Sequence, residues 1–250
     1  MNTNPPRAFG IRAALLAVAI AALAATGCQD PAEQARAQAA AQAQADESAA
    51  SQAAADFDAA IAAGNWQLAK AQGDVLLARF PDTAAAARIR PQHEQARAKA
   101  DALREEARVA ALWSYASEPV NGGQQLSAAI YSRDGVDSDG SGEHPVRLIF
   151  RDHPDWGRSS YLVMEAGDFD CYGACRVAVT VDDAEPGRMA ANRPDTDEAI
   201  AMFIDDERAL WRMVDGARLL TVEYPVKAGG RRTAVFEVGG LDRGKLPAWD

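Results

Sequence analysis

The 250-residue chain is poor in the side chains that most often carry catalysis. It has three cysteines and three histidines, and only 7% of its residues are aromatic. The sequence contains no Gly-x-Ser-x-Gly elbow, no His-Glu-x-x-His, no phosphate-binding loop and no Gly-x-Gly-x-x-Gly. We therefore expect no enzyme, no cofactor and no bound metal.

Basic residues are outnumbered by acidic ones. The chain has 26 Lys and Arg against 36 Asp and Glu, which gives a formal net charge of −10. Such a chain is repelled by the phosphates of nucleic acids and by anionic lipid headgroups. We expect neither of these as a partner.

The sequence also lacks a hydrophobic run long enough for a transmembrane helix. Residues 13–25, which follow Arg7 and Arg12, would span only about 20 Å as a helix, against a bilayer core of about 30 Å. A short apolar run that follows basic residues and precedes small ones is typical of a secretory signal peptide. We predict that residues 1–27 form such a peptide.

The run ends in Ala25-Thr26-Gly27-Cys28, which resembles the bacterial lipobox, with Ala25 where that family usually has leucine. The resemblance implies cleavage before Cys28, a diacylglycerol on its thiol and acylation of the new amine. Several acyl chains anchor firmly because each buried CH₂ contributes about 0.8 kcal/mol. Gln29, rather than Asp, implies by the family's sorting rule the periplasmic face of the outer membrane. Ordinary cleavage with Cys28 left as a stray thiol is the alternative.

The two remaining cysteines, Cys171 and Cys175, form an even pair in an oxidising compartment, where a disulfide is the default. Gly173 lies in the short loop between them and supplies the positive φ that such a turn can need. A redox role would require Cys-x-x-Cys in a strand-to-helix setting. We therefore predict a structural disulfide.

Composition divides the mature chain into three regions. Residues 28–51 are rich in Ala and Gln and contain no large apolar side chain, which indicates a partly helical, solvated tether. Residues 52–112 have apolar residues at helical spacing. From residue 113 the period changes to two, which predicts a β-rich domain over residues 113–250.

Within the helical region, Gly64-Asn65 ends a first helix and Asn65 can cap a second, which stops before Pro81. Asp82 or Thr83 can cap a third, which Pro91 breaks or kinks. The stretch 64–87 looks like part of a tetratricopeptide-type unit, but only one copy is visible, and a plain helical hairpin is favoured. A narrow coiled-coil-like seam is predicted from Ala96, Ala100, Leu103, Ala107 and Ala110.

Seven segments of the β-rich region alternate as strands do: residues 127–132, 146–151, 160–165, 176–181, 199–204, 219–225 and 233–238. Asp205 or Asp206 can cap one short helix with Leu210, Met213 and Val214 on its buried side. The predicted class is α+β, with an N-terminal helical tether and hairpin followed by an antiparallel β-sandwich or open barrel.

The β-rich region resembles uncharacterised proteobacterial envelope and phage-associated domains, similar in layout to accessory lipoprotein-like domains of type VI secretion clusters. The resemblance covers about residues 113–241 and implies an envelope setting without implying an activity. It is carried by residues 113–115, 128–132, 147–151, 167–171, 175–183, 202–205, 217–223 and 236–241.

Two acidic residues, Asp137 and Asp139, begin a stretch that looks like a calcium-binding loop. Ser141 follows at the fifth position, but the twelfth is Leu148, where a bidentate Glu is required. A solvated hairpin loop is the favoured interpretation, with these two acids as candidate binding residues.

The remaining candidates are histidines and tryptophans. His93 lies on a polar helical stretch. His144 and His153 each precede a proline, so surface turns are expected for these two. Trp113 and Trp211 are expected in the core. Trp156, in a loop with Arg158, is the best candidate for an exposed binding anchor.

The sequence favours a lipid-anchored envelope protein that presents a β-rich binding or scaffolding domain to another envelope protein. The first alternative is an inhibitor of a periplasmic hydrolase such as lysozyme, which would use the acidic loop of residues 134–143. The second is an unrecognised hydrolase, which would bring Asp182, His153 and Arg151 into one pocket.

Overall fold

The computed structural model describes residues 30–194 and 200–249. The predicted signal peptide and Cys28 lie outside these residues. Within them, every helix is too short or too polar to cross a bilayer.

Three helices form the N-terminal part: α1 (Pro31–Ala62), α2 (Trp66–Arg79) and α3 (Ala84–Ala110). The predicted caps of α2 and α3 are confirmed, because Asn65 accepts a hydrogen bond from the Leu68 N–H and Thr83 accepts one from the Ala86 N–H. The predicted tether is not separate from the first helix, since α1 is continuous through residue 51. Its residues are exposed as far as position 45, and the first buried side chain is Ala50.

The helices share a core of small side chains, and α1 packs against both α2 and α3, so the arrangement is a three-helix unit rather than the predicted hairpin. The Glu47 carboxylate of α1 accepts the N–H groups of Ala84 and Ala85, at 2.8 and 3.1 Å, and so caps α3. The predicted break at Pro91 is wrong, because α3 runs through it. The seam prediction holds at Ala96 and Ala100, and fails from Leu103, which is exposed. The shared core comprises Ala50, Ala54, Phe57, Ala60, Ala69, Leu76, Ala85, Ala86, Ile89 and Ala96.

The side chain of His93 on α3 is buried. Its ring lies against Gly73 of α2, and its Nε2 is 2.8 Å from the Asp74 carboxylate. Hydrogen bonds from Lys70 and His93 outweigh burial and lower the pKa of Asp74. The ring fits because Gly73 has no side chain: a Cβ there would lie 2.3 Å from the His93 Cδ2.

The β-rich region contains eleven strands and one helix over its described residues. They are β1 (Ser114–Val120), β2 (Gly123–Tyr131), β3 (Val136–Asp137), β4 (Glu143–His144), β5 (Val146–His153), β6 (Gly157–Met164), β7 (Cys175–Val181), β8 (Gly187–Asn192), β9 (Ala201–Ile204), α4 (Glu207–Val214), β10 (Leu220–Pro225) and β11 (Arg231–Phe236). All seven predicted strands are present. The seven predicted segments do not include β1 or β8, and β3 and β4 form a separate two-stranded hairpin.

Nine strands make one antiparallel sheet in the order β1-β2-β5-β6-β9-β8-β7-β10-β11. The sheet curls, because the Arg133 N–H after β2 donates to the Val235 carbonyl of β11 at 2.7 Å. Arg232 on β11 also donates to the Asp137 carbonyl. The predicted α+β class is confirmed, and a single curled sheet corresponds to the open-barrel form of that prediction.

The core of the β-rich region is built on four aromatic side chains. The Phe150 ring lies 5.1 Å from Trp211, 5.4 Å from Trp249 and 6.3 Å from Trp113. Trp113 and Trp211 are therefore in the core, as predicted. Met213 is not on the buried side of α4, because burial of Trp211 turns the helix so that Leu210, Trp211 and Val214 face inward.

The end of α3 packs against the segment that follows β11. The Arg108 guanidinium binds the carboxylates of Glu105 and Glu237, and Gly240 approaches Ala110 so closely that a Cβ would lie 2.6 Å from the Ala110 nitrogen. The Trp113 indole N–H donates to carbonyls of the same segment. The helical unit is thus joined to the β-rich region by contacts as well as by the chain.

Candidate functional site: an aromatic and arginine face of the sheet

Strand β5 places two arginines on the outer side of the sheet. Its inward side chains, Val146, Leu148 and Phe150, belong to the core, so Arg147 and Arg151 point outward. Outward side chains of neighbouring strands lie beside them. Tyr131 pairs in register with Arg147, Tyr161 with Ile149, and Phe203 with Tyr161.

These side chains contact one another closely. The Tyr161 and Phe203 rings are 4.9 Å apart. The Arg151 guanidinium lies 5.3 Å from the Tyr161 ring and 5.4 Å from Trp156, and Arg147 lies 5.5 Å from Tyr131. We call this surface the aromatic–arginine face; it consists of Tyr131, Arg147, Arg151, Trp156, Tyr161 and Phe203.

Trp156 is the most exposed member of the face and stands in the turn between β5 and β6. Its side chain is 70% exposed, as predicted for an anchor. It stacks on the His153 ring at 4.0 Å with 13° between the planes, so His153 covers one face of the indole. The surface position predicted for His153 is wrong. His153 is buried under Trp156, and its Nδ1 accepts the N–H groups of Asp155 and Trp156.

The face contains polar atoms that have no partner. The Nε of Arg147, the Nε of Arg151 and the hydroxyl of Ser159 are buried and make no hydrogen bond within the described residues. Ser159 pairs in register with Arg151, so two of these atoms are neighbours. A buried donor without an acceptor is unusual in a folded protein and calls for a ligand, a partner or ordered water.

The two arginines of the face have no salt-bridge partner among the described residues, although the Glu118 carboxylate is close enough to act on Tyr161. Neither Arg147 nor Arg151 forms a hydrogen bond with any residue in the described ranges. Both lie in a chain whose overall charge is negative. Burial raises the pKa of Tyr161, the two arginines oppose that rise and the Glu118 carboxylate adds to it, so the phenol is neutral at physiological pH.

A groove of about 370 Å³ shares Phe203 with the face. It is lined by Arg158, Ser159, Asn192, Asp205 and Glu207 among others. Arg158, predicted as a binding residue beside Trp156, donates to the Ala248 carbonyl, so part of its capacity serves to hold the C-terminal segment.

The carboxylates of the acidic loop hydrogen-bond within the loop itself. Asp137 accepts the Gly140 N–H at 2.7 Å, and Asp139 accepts the Ser141 N–H at 3.0 Å. Hydrogen bonds from Ser141 lower the pKa of Asp139. The carboxylates therefore stabilise their own turn. No group of three or more His, Cys, Asp or Glu side chains suited to a metal occurs within residues 30–194 and 200–249.

The Cys171–Cys175 disulfide is formed in the structure. Beside it, Asp168 receives hydrogen bonds from Arg193 and from the Tyr172 hydroxyl, and its carboxylate is 2.9 Å from the Lys227 Nζ. Burial opposes ionisation of Asp168, but these bonds outweigh it and lower its pKa. The disulfide loop is therefore held by a satisfied ionic cluster and has a structural role.

Two residues of the hydrolase alternative are neighbours, because His153 and Arg151 both contact Trp156. The Nδ1 of His153 accepts N–H groups of its own turn. Asp182 accepts the N–H groups of Arg218 and Leu219, so its carboxylate holds the start of β10.

No protein family model, no curated protein and no solved structure matches the chain. The aromatic–arginine face is therefore identified from its contacts and burial alone. Sequence reasoning identified Trp156 but missed Arg147, Tyr161 and Phe203. The available signal was Arg-x-x-x-Arg in a strand whose even positions are apolar, which places both arginines on the outer side.

Proposed function

We propose that the chain is a lipid-anchored envelope protein whose β-rich region is a binding or scaffolding module, with the aromatic–arginine face as its binding surface. The observation that carries the proposal is that unpartnered buried donors coincide with exposed aromatics on one face. Trp, Tyr and Arg are the residues that most often dominate binding energy at protein interfaces. An incoming partner would supply acceptors to the terminal guanidinium nitrogens of Arg147 and Arg151, since the protein itself covers their Nε atoms, and would cover Trp156.

The helical unit suits the proposed anchoring. The exposed residues 31–45 of α1 would extend about 22 Å as a helix, which would hold the body of the protein away from the bilayer. Cys28 would be attached just before this stalk. A rigid helical stalk limits the positions that the binding face can reach, which lowers the entropic cost of meeting a partner in the same membrane or cell wall.

The anchor is tested by replacing Cys28 with serine and fractionating cells. We expect the wild-type chain in the membrane fraction and Cys28→Ser outside it, because serine has no thiol to acylate. A Cys28→Ser chain that still sediments with membranes at its original size would contradict the anchor.

The binding surface is tested by crosslinking in intact cells followed by capture of the full chain. Trp156→Ala should reduce the yield of a stoichiometric partner at least tenfold, since central aromatic anchors often contribute 2 kcal/mol or more. Leu103→Ala, which also truncates an exposed apolar side chain but on α3, is the matched control and should capture normally. Equal capture by both variants and the wild type would refute the assignment.

A further inference from the structure

We infer that the aromatic–arginine face takes an extended acidic segment of a partner protein, in which two carboxylates flank one apolar side chain. This inference rests on the proposed function and specifies the chemistry of its partner.

The spacing of the arginines sets the spacing of the carboxylates. Arg147 and Arg151 are four residues apart on β5 and face the same way, so their backbone positions are about 13 Å apart. Ile149 lies midway, with Tyr161 opposite it in register. Along β5 the face therefore has an arginine on each side of an apolar centre. The Arg147 guanidinium lies over Tyr131 of β2 and the Arg151 guanidinium over Tyr161 of β6.

An extended segment has the same repeat. Its side chains i, i+2 and i+4 point to one side, and i and i+4 are also about 13 Å apart. A sequence of the form acid-x-apolar-x-acid thus places one carboxylate at each arginine and its middle side chain on Tyr161 and Phe203. A helix places i and i+4 only about 6 Å apart, so its paired acids would not reach both arginines.

Charge selects the class of partner. Arg147 and Arg151 have buried Nε donors and no carboxylate partner among the described residues, and carboxylate is the acceptor whose geometry matches a guanidinium best. The rest of the chain is acidic, which disfavours a flat anionic membrane as the occupant because the surrounding surface would be repelled.

The test uses fluorescein-labelled peptides and the purified full chain, with fluorescence anisotropy as the readout. The probe is Thr-Glu-Thr-Ile-Thr-Glu-Thr, whose β-branched residues favour an extended backbone. The control peptide has the same composition with both Glu adjacent, Thr-Thr-Glu-Glu-Ile-Thr-Thr. We expect the spaced peptide to bind at least tenfold more tightly than the control.

Variants of the protein identify the contacts. Arg147→Gln and Arg151→Gln should each weaken the spaced peptide about tenfold, and each should remove the preference over the control peptide. Arg231→Gln, which changes an arginine on β11 away from the face, should have no effect. Equal affinity for the two peptides, or no loss in Arg147→Gln and Arg151→Gln, would overturn the inference.

Two further outcomes separate this inference from the proposed function. The first outcome concerns binding of the full chain to vesicles that contain anionic phospholipid. If replacement of Arg147 and Arg151 weakens that binding, the face binds lipid and the inference is overturned. If Trp156→Ala abolishes capture in cells while the arginine variants capture normally, the inference fails and the proposed function stands. If none of the three variants affects capture, both fail.

Discussion

The free protein should become more stable when either unpartnered arginine is replaced by methionine. The Nε–H groups of Arg147 and Arg151 are buried without an acceptor, and a buried donor left unsatisfied costs about 1–3 kcal/mol. Methionine keeps most of the apolar stem that covers the sheet. Arg147→Met gives up the contact with Tyr131, and Arg151→Met gives up those with Tyr161 and Trp156, each worth about 0.5–1 kcal/mol. We therefore expect Arg147→Met to raise the free energy of unfolding by up to about 2.5 kcal/mol and Arg151→Met by up to about 2 kcal/mol.

Urea titration at 0.15 M salt measures the effect as a shift of the unfolding midpoint with an unchanged slope. The control is Arg231→Met on β11, whose guanidinium binds the Glu223 carboxylate and the backbone carbonyl of Arg176. Loss of these bonds should leave stability unchanged or lower it by about 1 kcal/mol. If both Arg147→Met and Arg151→Met destabilise the protein as the control does, the arginines are satisfied in the free state, and the reasoning for the face is refuted.

Three other predictions concern the structure around the face. Gly73→Ala should lower the free energy of unfolding by about 1 kcal/mol, because displacing the His93 ring and its hydrogen bond outweighs the helix propensity of alanine. The same change made in a His93→Ala background should stabilise, and urea titrations showing stabilisation in both backgrounds would contradict the packing. The pKa of Asp168 is lowered, so its contribution to stability is present at neutral pH and is lost as the pH falls below about 4. Asp168→Asn should therefore reduce the loss of unfolding free energy that acid causes in this pH range. An unchanged loss would count against the ionic cluster. Replacing Cys171 and Cys175 together by serine should cost about 2 kcal/mol, measured by thermal unfolding, and a loss above about 4 kcal/mol would mean that the loop does more than close a short ring.

Local patterns predicted most of the secondary structure. Alternation identified the seven strands that carry inward apolar side chains, and small polar residues identified the caps at Asn65 and Thr83. Strand β8 was missed because its sequence, GRMAAN, contains no β-branched or aromatic residue. It is a strand because β7 and β9 pair with it on both sides. Burial of Met213 was predicted wrongly. Helical period gives the spacing of the buried residues but does not show that Trp211, rather than Met213, faces the core.

The candidate site could be predicted only in part, for a related reason. Trp156 stands in a loop flanked by turn residues, and its exposure follows from the local sequence. The aromatic rings of the face other than Trp156 come from three other strands, and Phe203 is 52 positions beyond Arg151 in the chain. Burial of His93 and His153 likewise depends on a distant glycine and on a stacked indole. Such contacts follow from sheet order and helix packing, which periodicity does not give.

The unpartnered state of the two arginines is specific to one face. The other arginines of the described residues that are not fully exposed all have acceptors: Arg158 and Arg232 donate to backbone carbonyls, and Arg193 and Arg243 bind carboxylates. The fold thus satisfies partly buried guanidinium groups elsewhere. The Nε donors of Arg147 and Arg151 have no acceptor among the described residues, although strands β5 and β6, which surround them, are paired along their full length. Rigid strands hold the donors in fixed positions, so a partner need not order them on binding. This combination of rigid support and unmet hydrogen bonding is expected of a surface that is completed by another molecule.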